Sequence, residues 1–270
     1  MANSPSGESL ISRAVRVLGA LADQNTKGKS VRETADLARL PVSTTYRILS
    51  ELEVEGLVSR VDSNSGWKHG TRLWELALSG APLEGLREAA VASMEDLVAN
   101  LEVHVSLGIL DRNEVLYIER LAPHSLTENI TAVAGRLPAH ATSAGLVLMA
   151  YASQAEQDLL LSRKLKKFTE TTVTDPSELR RILAVIRRDG FFIAPGAIIA
   201  ESTGISVPIF GELGNAIAVL TVIVPASHES PERFVTHLKF ACAGIQRQLG
   251  VEPNRGVGFS RRTAAAPQER

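Results

Sequence analysis

The stretch Ser30–Val58, SVRETADLARLPVSTTYRILSELEVEGLV, decides the fold of the N-terminal part of the chain. It opens with Ser30 and, three residues later, Glu33, which is the spacing of a capping box at the start of a helix. Pro41 predicts a sharp turn after that helix, and Ser43 is of a residue type that caps a following helix. The stretch therefore predicts two short helices joined by a tight turn.

The second of these helices has two chemically different faces. At 3.6 residues per turn, one face collects the apolar side chains and a threonine, namely Thr45, Ile48, Leu49 and Leu52. The opposite face is polar and consists of Ser43, Tyr46, Arg47 and Ser50. Gly56 supplies the helix end. The first face predicts packing inside the domain, and the second is available to another molecule.

The flanking segments complete a winged helix-turn-helix. Upstream, apolar residues recur at helical spacing, at Ile11, Val15, Leu18 and Leu21. Downstream, apolar and polar residues alternate over 57–61, as in a strand. Residues 62–66 then form a polar turn, and residues 67–70 form a second strand that runs back along the first. Helix, helix, turn, helix and hairpin thus follow one another within residues 9–80, which is the order of a DNA-binding domain of this class.

The polar face of the third helix has the chemistry that reads DNA. The major groove admits one helix, and Arg47 can make a bidentate contact to guanine there. Basic residues of the hairpin, or wing, would contact the phosphate backbone and fix the register. The predicted DNA-binding residues are Ser43, Thr44, Tyr46, Arg47, Ser50, Arg60, Lys68 and His69. The alternatives are a merely solvated face, or an adaptor that uses this domain to bind protein.

Composition narrows the other possibilities. The 270 residues suffice for two domains, and a net charge of −1 means that DNA affinity must come from a local surface. The single cysteine, Cys242, excludes an internal disulfide and a cysteine-rich zinc site, and no histidine pattern predicts a metal. Because no glycine-rich phosphate loop follows a predicted strand, we expect no cofactor.

The termini and the hydropathy pattern indicate where the protein works. Residues 1–8 and 251–270 are rich in small and polar residues and predict disordered tails. The N-terminus lacks a hydrophobic signal region, and no apolar run reaches the ~20 residues that span a bilayer. We therefore expect a cytoplasmic protein that does not bind a membrane.

Four further segments carry a resemblance to a known family. They are DRNEVLYIERL (111–121), GRLPAHATSAG (135–145), RRDGFFIA (187–194) and SVPIFGELGNAIAVLTVIVP (206–225). Together with the N-terminal pattern, they resemble the IclR family of bacterial transcription regulators over residues 11–249. The resemblance implies an α+β fold, in which a helix at 81–101 leads to a GAF-like domain of curved antiparallel sheet and helices at 102–250.

The same resemblance implies how the protein works. Members of the family are dimers or dimers of dimers, bind palindromic operators in double-stranded DNA, and respond to a small-molecule effector that often bears a carboxylate. The helix at 81–101 has an apolar face that is a candidate for pairing with a second copy or for packing on the wing of its own chain, with Leu83, Leu86, Ala90, Met94 and Leu97.

The segment Gly135–Gly145 predicts a loop that enters a helix. Amides of residues 140–142 would lie at the helix N-terminus, where free N–H groups and the helix dipole hold an anion without a cation. Thr142 and Ser143 either add hydroxyl donors or cap the helix. His140 is an effector ligand, a pH-sensitive group or, as we favour, a group that holds the loop by a local hydrogen bond.

The resemblance places the effector site on this segment and on the facing strands. Its predicted residues are Leu116, Ile118, Gly135, Leu137, His140, Ala141, Thr142, Ser143, Gly204, Ile205, Val207 and Ile223. Positions where family members often carry Lys, Asp, Cys or Ser hold Leu146, Ala194, Gly204 and Ile223 here. The lost polarity predicts an effector with an apolar body, and the anion site at the helix N-terminus predicts one carboxylate on it.

An enzyme is the remaining alternative. Residues 141–145, ATSAG, superficially resemble the nucleophile elbow of a serine hydrolase, with Ser143 as nucleophile and His228 or His237 as base. Such an elbow needs a strand directly before the serine. A loop that contains Pro138 precedes it here, so we expect no catalytic residue.

Overall fold

The computed structural model describes residues 8–22, 28–61, 66–79, 83–123 and 135–251. The predicted tails therefore lie almost wholly outside the described residues, as does the polar turn of the wing. The chain divides into two compact units, Met1–Pro82 and Leu83–Arg270. No helix within the described ranges is long and apolar enough to cross a membrane.

The first unit is a winged helix-turn-helix. Its elements are α1 (Leu10–Leu21), α2 (Val31–Ala38), α3 (Val42–Val54), β1 (Val58–Arg60), β2 (Trp67–His69) and α4 (Thr71–Ser79). Strands β1 and β2 pair antiparallel. The core draws on α1, α3 and both strands, with Val17, Ile48, Leu49, Val58 and Trp67 among its buried residues. The sequence analysis did not predict α4, which follows β2 directly.

The ends of the helices follow from local hydrogen bonds. The predicted capping box is confirmed, because the Ser30 hydroxyl accepts from the Glu33 amide at 3.2 Å and the Ser30 amide donates to Glu33 at 2.8 Å. The predicted cap at Ser43 was wrong. The N-cap of helix α3 is Pro41, two residues earlier, and the Pro41 carbonyl accepts from the Thr45 hydroxyl at 3.1 Å. Ser43 is therefore an exposed first-turn residue.

The second unit is built on a curved antiparallel sheet. Its strands are β3 (His104–Asp111), β4 (Glu114–Leu121), β5 (Arg136–Pro138), β6 (Phe192–Pro195), β7 (Ser202–Phe210) and β8 (Ala216–Pro225). Their order in the sheet is β5-β4-β3-β8-β7-β6. The helices are α5 (Glu84–Leu101), α6 (Ser143–Tyr151), α7 (Gln154–Leu161), α8 (Pro176–Asp189) and α9 (Arg233–Gln248). The predicted α+β architecture is confirmed.

Each face of the sheet carries its own core. Helices α5 and α9 cover one face, where Met94 and Leu238 pack on alternate residues of the central strands. Helices α6 and α8 cover the other face, where Met149 and Leu183 are fully buried. Successive residues of a strand point to opposite faces, which explains why β8 is an almost continuous apolar run.

The apolar face of α5 is already occupied. Leu86, Ala90, Met94 and Leu97 lie in the core formed with the sheet and α9. This face, which the sequence offered as a candidate for pairing with a second copy, is therefore part of the fold of its own unit.

Candidate functional sites

The outer face of α3 is the candidate DNA-reading surface. Thr45, Ile48, Leu49 and Leu52 are buried as predicted, which turns Ser43, Tyr46 and Arg47 outward. Thr44 and Ser50 are half-buried at the margins. Neither Arg47 nor Lys68 of the wing forms an ion pair with a described residue, so both cations are available to phosphate or bases.

Two of the predicted DNA contacts are tied to each other inside the domain. The Arg60 guanidinium lies 4.4 Å above the Trp67 ring, and its Nε donates to Glu53 at 3.3 Å. The Tyr46 ring meets Trp67 edge-on with centroids 6.5 Å apart. A hydrogen bond with the Tyr46 hydroxyl is the main cause of a raised pKa of Arg60. This cluster joins the recognition helix to the wing.

His69 has a structural partner as well. Its Nε2 lies 2.8 Å from the Leu18 carbonyl, in the last turn of α1. A carbonyl near a helix end lacks an intrahelical donor, so His69 supplies one and attaches the wing to α1. Its ring remains exposed, but this bond restricts where the ring can turn.

The second unit contains a cleft between the sheet and the start of α6. It encloses about 50 Å³ and is lined by Tyr117, Leu137, Ala141, Thr142, Ser143, Ala194, Ala197, Ile198, Ser202, Gly204, Thr221 and Ile223. The structure thus brings together six predicted residues, Leu137, Ala141, Thr142, Ser143, Gly204 and Ile223. Sequence reasoning missed Tyr117, Ser202 and Thr221, together with the rim residues Ala197 and Ile198.

The alternation of strand residues corrects the prediction at three positions. Ile205 and Val207 are buried on the opposite face of β7, in the core with α5 and α9, and Ile118 packs on that same core. Ser202, Gly204 and Ser206 occupy the other face of β7. A run of small and polar residues at every second position was the signal that could have assigned the faces.

The remaining predicted residues support the cleft without lining it. The Gly135 carbonyl accepts from the Tyr117 amide at 3.0 Å, and Leu116 pairs with Arg136 across β4 and β5. His140 is buried, with Nε2 2.8 Å from the Lys166 carbonyl. This geometry matches the loop-holding role that we favoured for His140.

The helix N-terminus in the cleft lies three residues later than predicted. Residues Ala139–Ala141 form a 3-10 turn, and Thr142 is the N-cap of α6, its hydroxyl accepting from the Gly145 amide at 2.9 Å. The first turn of an α-helix leaves amides without intrahelical partners. The amides at the positive end of the dipole are therefore those of Ser143 and Ala144, in place of residues 140–142.

The rim of the cleft is held by three threonine hydroxyls. Thr171, Thr169 and Thr172 donate to the consecutive carbonyls of residues 195, 196 and 197 at 3.0, 2.6 and 2.6 Å. Because each bond fixes a carbonyl of the rim, the segment that carries Ala197 and Ile198 is positioned by side chains from another loop.

A row of polar side chains crosses the cleft face of the sheet. Ser206 Oγ donates to Ser143 Oγ at 2.8 Å and lies 2.7 Å from Thr221 Oγ1. In register, Thr221 pairs with Ser106, and Ser106 pairs with Arg120. Ser143 thus has a serine as its hydrogen-bond partner, and the described residues place no histidine base on it. This geometry does not support a serine hydrolase.

At its far end the row carries a positive charge. Arg120 Nη2 lies 3.4 Å from His104 Nδ1, and Arg120 Nε is buried without an acceptor among the described residues. Burial, followed by the charge of Arg120, lowers the pKa of His104. His104 is therefore neutral at physiological pH and accepts from the guanidinium.

Comparison with known proteins places both units in one family. The model of the IclR helix-turn-helix domain matches residues 10–62, and that of the bacterial transcriptional regulator IclR C-terminal domain matches residues 83–245. An IclR homolog from Microbacterium hydrocarbonoxydans, crystallised with 4-hydroxybenzoate, is 38% identical, with a TM-score of 0.82 over 90% of this chain and all of that one.

Curated relatives agree with this placement. The transcriptional repressor AllR of Klebsiella pneumoniae is 27% identical, over 92% of each chain. The transcriptional regulator KdgR of Dickeya chrysanthemi is 25% identical, over 91% of this chain and 81% of that one. With a helix-turn-helix unit, an effector-binding fold and family models that cover most of its length, this chain belongs to the IclR family of bacterial transcriptional regulators.

Proposed function

We propose that this regulator binds its operator through α3 and the wing, and that an aromatic carboxylic acid bound in the cleft of the second unit changes its affinity for that operator. The observation that carries the proposal is the cleft itself, which joins a helix N-terminus with a free hydroxyl hydrogen to apolar walls. The protein acts by binding, without catalysing a reaction.

The start of α6 suits a carboxylate. The amides of Ser143 and Ala144 and the positive end of the helix dipole attract an anion. The Ser143 hydroxyl already accepts from Ser206, so its own hydrogen is available to donate. A charge-assisted hydrogen bond of this kind is about twice as strong as one between neutral groups.

The rest of the cleft suits an apolar body. Leu137, Ala194, Ile198 and Ile223 line it, and Gly204 leaves room beside Ser143, where an added Cβ would lie 2.6 Å from the hydroxyl oxygen. The homolog from Microbacterium hydrocarbonoxydans was crystallised with 4-hydroxybenzoate, which combines a carboxylate with an aromatic ring. This ligand supports the same chemical class for this chain.

The size of the cleft implies that it opens on binding. It encloses about 50 Å³, whereas a cavity that accommodates benzene measures ~150 Å³. A ligand that binds the open form better than the closed form shifts the population toward the open form. Only such a difference in ligand affinity can change the affinity of the protein for DNA. A coupling free energy of ~1–3 kcal/mol gives a ~5–150-fold change in operator affinity.

Calorimetry and mobility shift test the proposal together. Benzoate, 4-hydroxybenzoate and pyruvate are titrated into the full chain, and each is added to its complex with a duplex selected from a random library. We expect an aromatic acid to bind and to change the DNA affinity. Binding of pyruvate alone would assign the cleft to a different class of ligand.

Two substitutions distinguish base reading from backbone contact. Arg47→Ala is expected to weaken specific binding by ~1–3 kcal/mol, because a bidentate contact to guanine is worth that much. Lys68→Ala is expected to weaken binding to all duplexes and to reduce the salt slope by about one unit. Mobility-shift titrations at several salt concentrations measure both. Salt-independent binding would favour a protein-binding adaptor. If the specific affinity of Arg47→Ala equals that of wild type, other residues make the base contacts.

We also propose that the protein works as a dimer or a larger symmetric assembly. Specific sites are read by symmetric dimers, one domain to a half-site. The first unit exposes large apolar side chains on two helices, with Ile11 on α1 at 76% and Trp74 on α4 at 68%. Surfaces of this kind mark interaction sites. Light scattering at micromolar concentration should give at least twice the chain mass of 29.0 kDa, and the mass of one chain would refute the proposal.

A further inference from the structure

Tyr117 differs from the other hydroxyl-bearing residues of the cleft. Its side chain is only 2% exposed, lines the cleft, and makes no hydrogen bond to any described residue. Each of the other hydroxyls of the lining has at least one hydrogen-bond partner within the protein, namely those of Thr142, Ser143, Ser202 and Thr221. The Tyr117 hydroxyl therefore has its hydrogen-bonding capacity unused by the described residues, at a position where a ligand in the cleft can meet it.

Packing fixes the direction of the phenol. Tyr117 lies opposite Gly108 on β3, and a Cβ added to that glycine would lie 3.5 Å from Tyr117 Cδ1. Val115 and Val219 pack beside the ring in the core with α6 and α8. The ring thus packs over Gly108 of β3, and this packing orients its hydroxyl toward the cleft. Burial raises the pKa of Tyr117, so the phenol stays neutral and both donates and accepts.

The phenol lies on the opposite side of the cleft from the carboxylate position. Tyr117 belongs to β4, whereas Gly204, which lies beside Ser143, belongs to β7. The sheet order β4-β3-β8-β7 separates them by three strand spacings of ~4.8 Å each. A ligand whose carboxylate meets the start of α6 therefore directs its far end toward the phenol.

We propose that Tyr117 is a specificity-determining residue, which hydrogen-bonds a polar substituent at the end of the effector opposite its carboxylate and so selects hydroxylated aromatic acids over unsubstituted ones. This inference rests on the proposed function of the cleft. A site built to hydrogen-bond a ligand hydroxyl rejects an analogue that lacks it, because the group on the protein is then left unpaired.

The test combines two ligands with two proteins. Wild type and Tyr117→Phe, which removes only the hydroxyl, are each titrated with 4-hydroxybenzoate and with benzoate by calorimetry. We expect wild type to prefer 4-hydroxybenzoate by roughly tenfold or more, the effect of one hydrogen bond of about 1.4 kcal/mol. In Tyr117→Phe the preference should disappear, while the affinity for benzoate changes little. Tyr151→Phe is the matched control, because that hydroxyl donates to the Ile186 carbonyl at 3.4 Å.

Each of the other possible outcomes contradicts one defined part of the proposal. A preference that survives in Tyr117→Phe refutes the role of the phenol. Equal weakening of both ligands would show that Tyr117 contacts the carboxylate end, which also refutes it. If neither acid binds wild type while Arg47→Ala still impairs DNA binding, the effector class itself is wrong, and the inference fails with it.

A measurement without ligand checks the premise. Because the Tyr117 hydroxyl has no partner, the ligand-free Tyr117→Phe protein should unfold at the same temperature as wild type or higher. In a unit of this size, 1 kcal/mol corresponds to ~2–4 °C. A fall of several degrees would show that the hydroxyl already serves the fold, and would overturn the proposal.

Discussion

Gly145→Ala is expected to lower the free energy of unfolding of the second unit by roughly 3 kcal/mol or more. An added Cβ at this position would lie 2.2 Å from the Ala139 carbonyl oxygen and 2.3 Å from the Ala139 Cα. Both are backbone atoms, so the 3-10 turn and the first turn of α6 would have to separate. The same movement would displace Ala141 and Ser143 from the cleft, so the response to effector would be lost as well.

Thermal unfolding monitored by calorimetry measures this effect, with Gly244→Ala as the matched control. Gly244 lies within α9 of the same unit, and its added Cβ would meet Ser93 Oγ at 3.5 Å and Arg247 Nη2 at 3.9 Å, which are ordinary contacts. Alanine there should raise stability by about 0.5–1 kcal/mol, because glycine weakens a helix interior. A Gly145→Ala protein as stable as Gly244→Ala would show that the close approach between the turn and α6 is not required.

Ala141→Asp is expected to abolish the response to effector while leaving ligand-free DNA binding intact. Ala141 lines the cleft next to the N-cap of α6, so a carboxylate there would face the carboxylate of the ligand. Two like charges ~4 Å apart repel by about 4 kcal/mol at an effective dielectric constant of ~20, which weakens binding roughly a thousandfold. The DNA-binding unit is a separate compact unit, and its own contacts are unchanged.

Ala141→Asn separates the effect of charge from that of size. The two side chains are nearly the same shape, but the amide carries no charge, so Asn should retain part of the affinity that Asp loses. Both variants are titrated with 4-hydroxybenzoate by calorimetry and assayed on DNA by mobility shift. Normal effector binding by Ala141→Asp would place the carboxylate elsewhere, and Arg120, whose Nε has no acceptor among the described residues, would be the next candidate.

The winged helix-turn-helix was largely predictable because its signals are local. The capping box at Ser30, the buried face of α3 and the ends of the hairpin each depend on residues close in sequence, and each was found. Ser43 was misassigned because a serine in the first turn of a helix looks the same in sequence as one at its cap. Pro41 is the N-cap here, with φ −59° and ψ 142°, and it makes no side-chain cap hydrogen bond.

The cleft was only half predictable, for a reason of geometry. Whether Ile205 or Gly204 faces α6 depends on strand register, and a shift by one residue exchanges the two faces. The family pattern fixed Gly204, but neighbouring apolar residues were added without regard to the alternation. Tyr117 gave no signal of its own, since an aromatic residue in a strand is ordinary. Only the fold reveals that this side chain lines the cleft and that its hydroxyl has no partner among the described residues.

The hydroxyls of Thr221, Ser206 and Ser143 have a collective property, because each can donate only one hydrogen. Once Ser206 donates to Ser143, the Ser206 oxygen is left to accept, and Thr221 is the neighbour placed to supply that hydrogen. The hydroxyls therefore all donate in one direction, from Thr221 to Ser206 and from Ser206 to Ser143, and the hydrogen of Ser143 remains for the ligand. A carboxylate, which only accepts, completes the row as it stands, whereas a carboxamide of the same outline could turn its N–H toward Ser143 and set two hydrogens against each other. On the proposed placement of the ligand, the row therefore favours an acceptor oxygen, from a carboxylate or from the carbonyl of an amide, over an N–H, through the orientation of the hydroxyl protons of Thr221, Ser206 and Ser143.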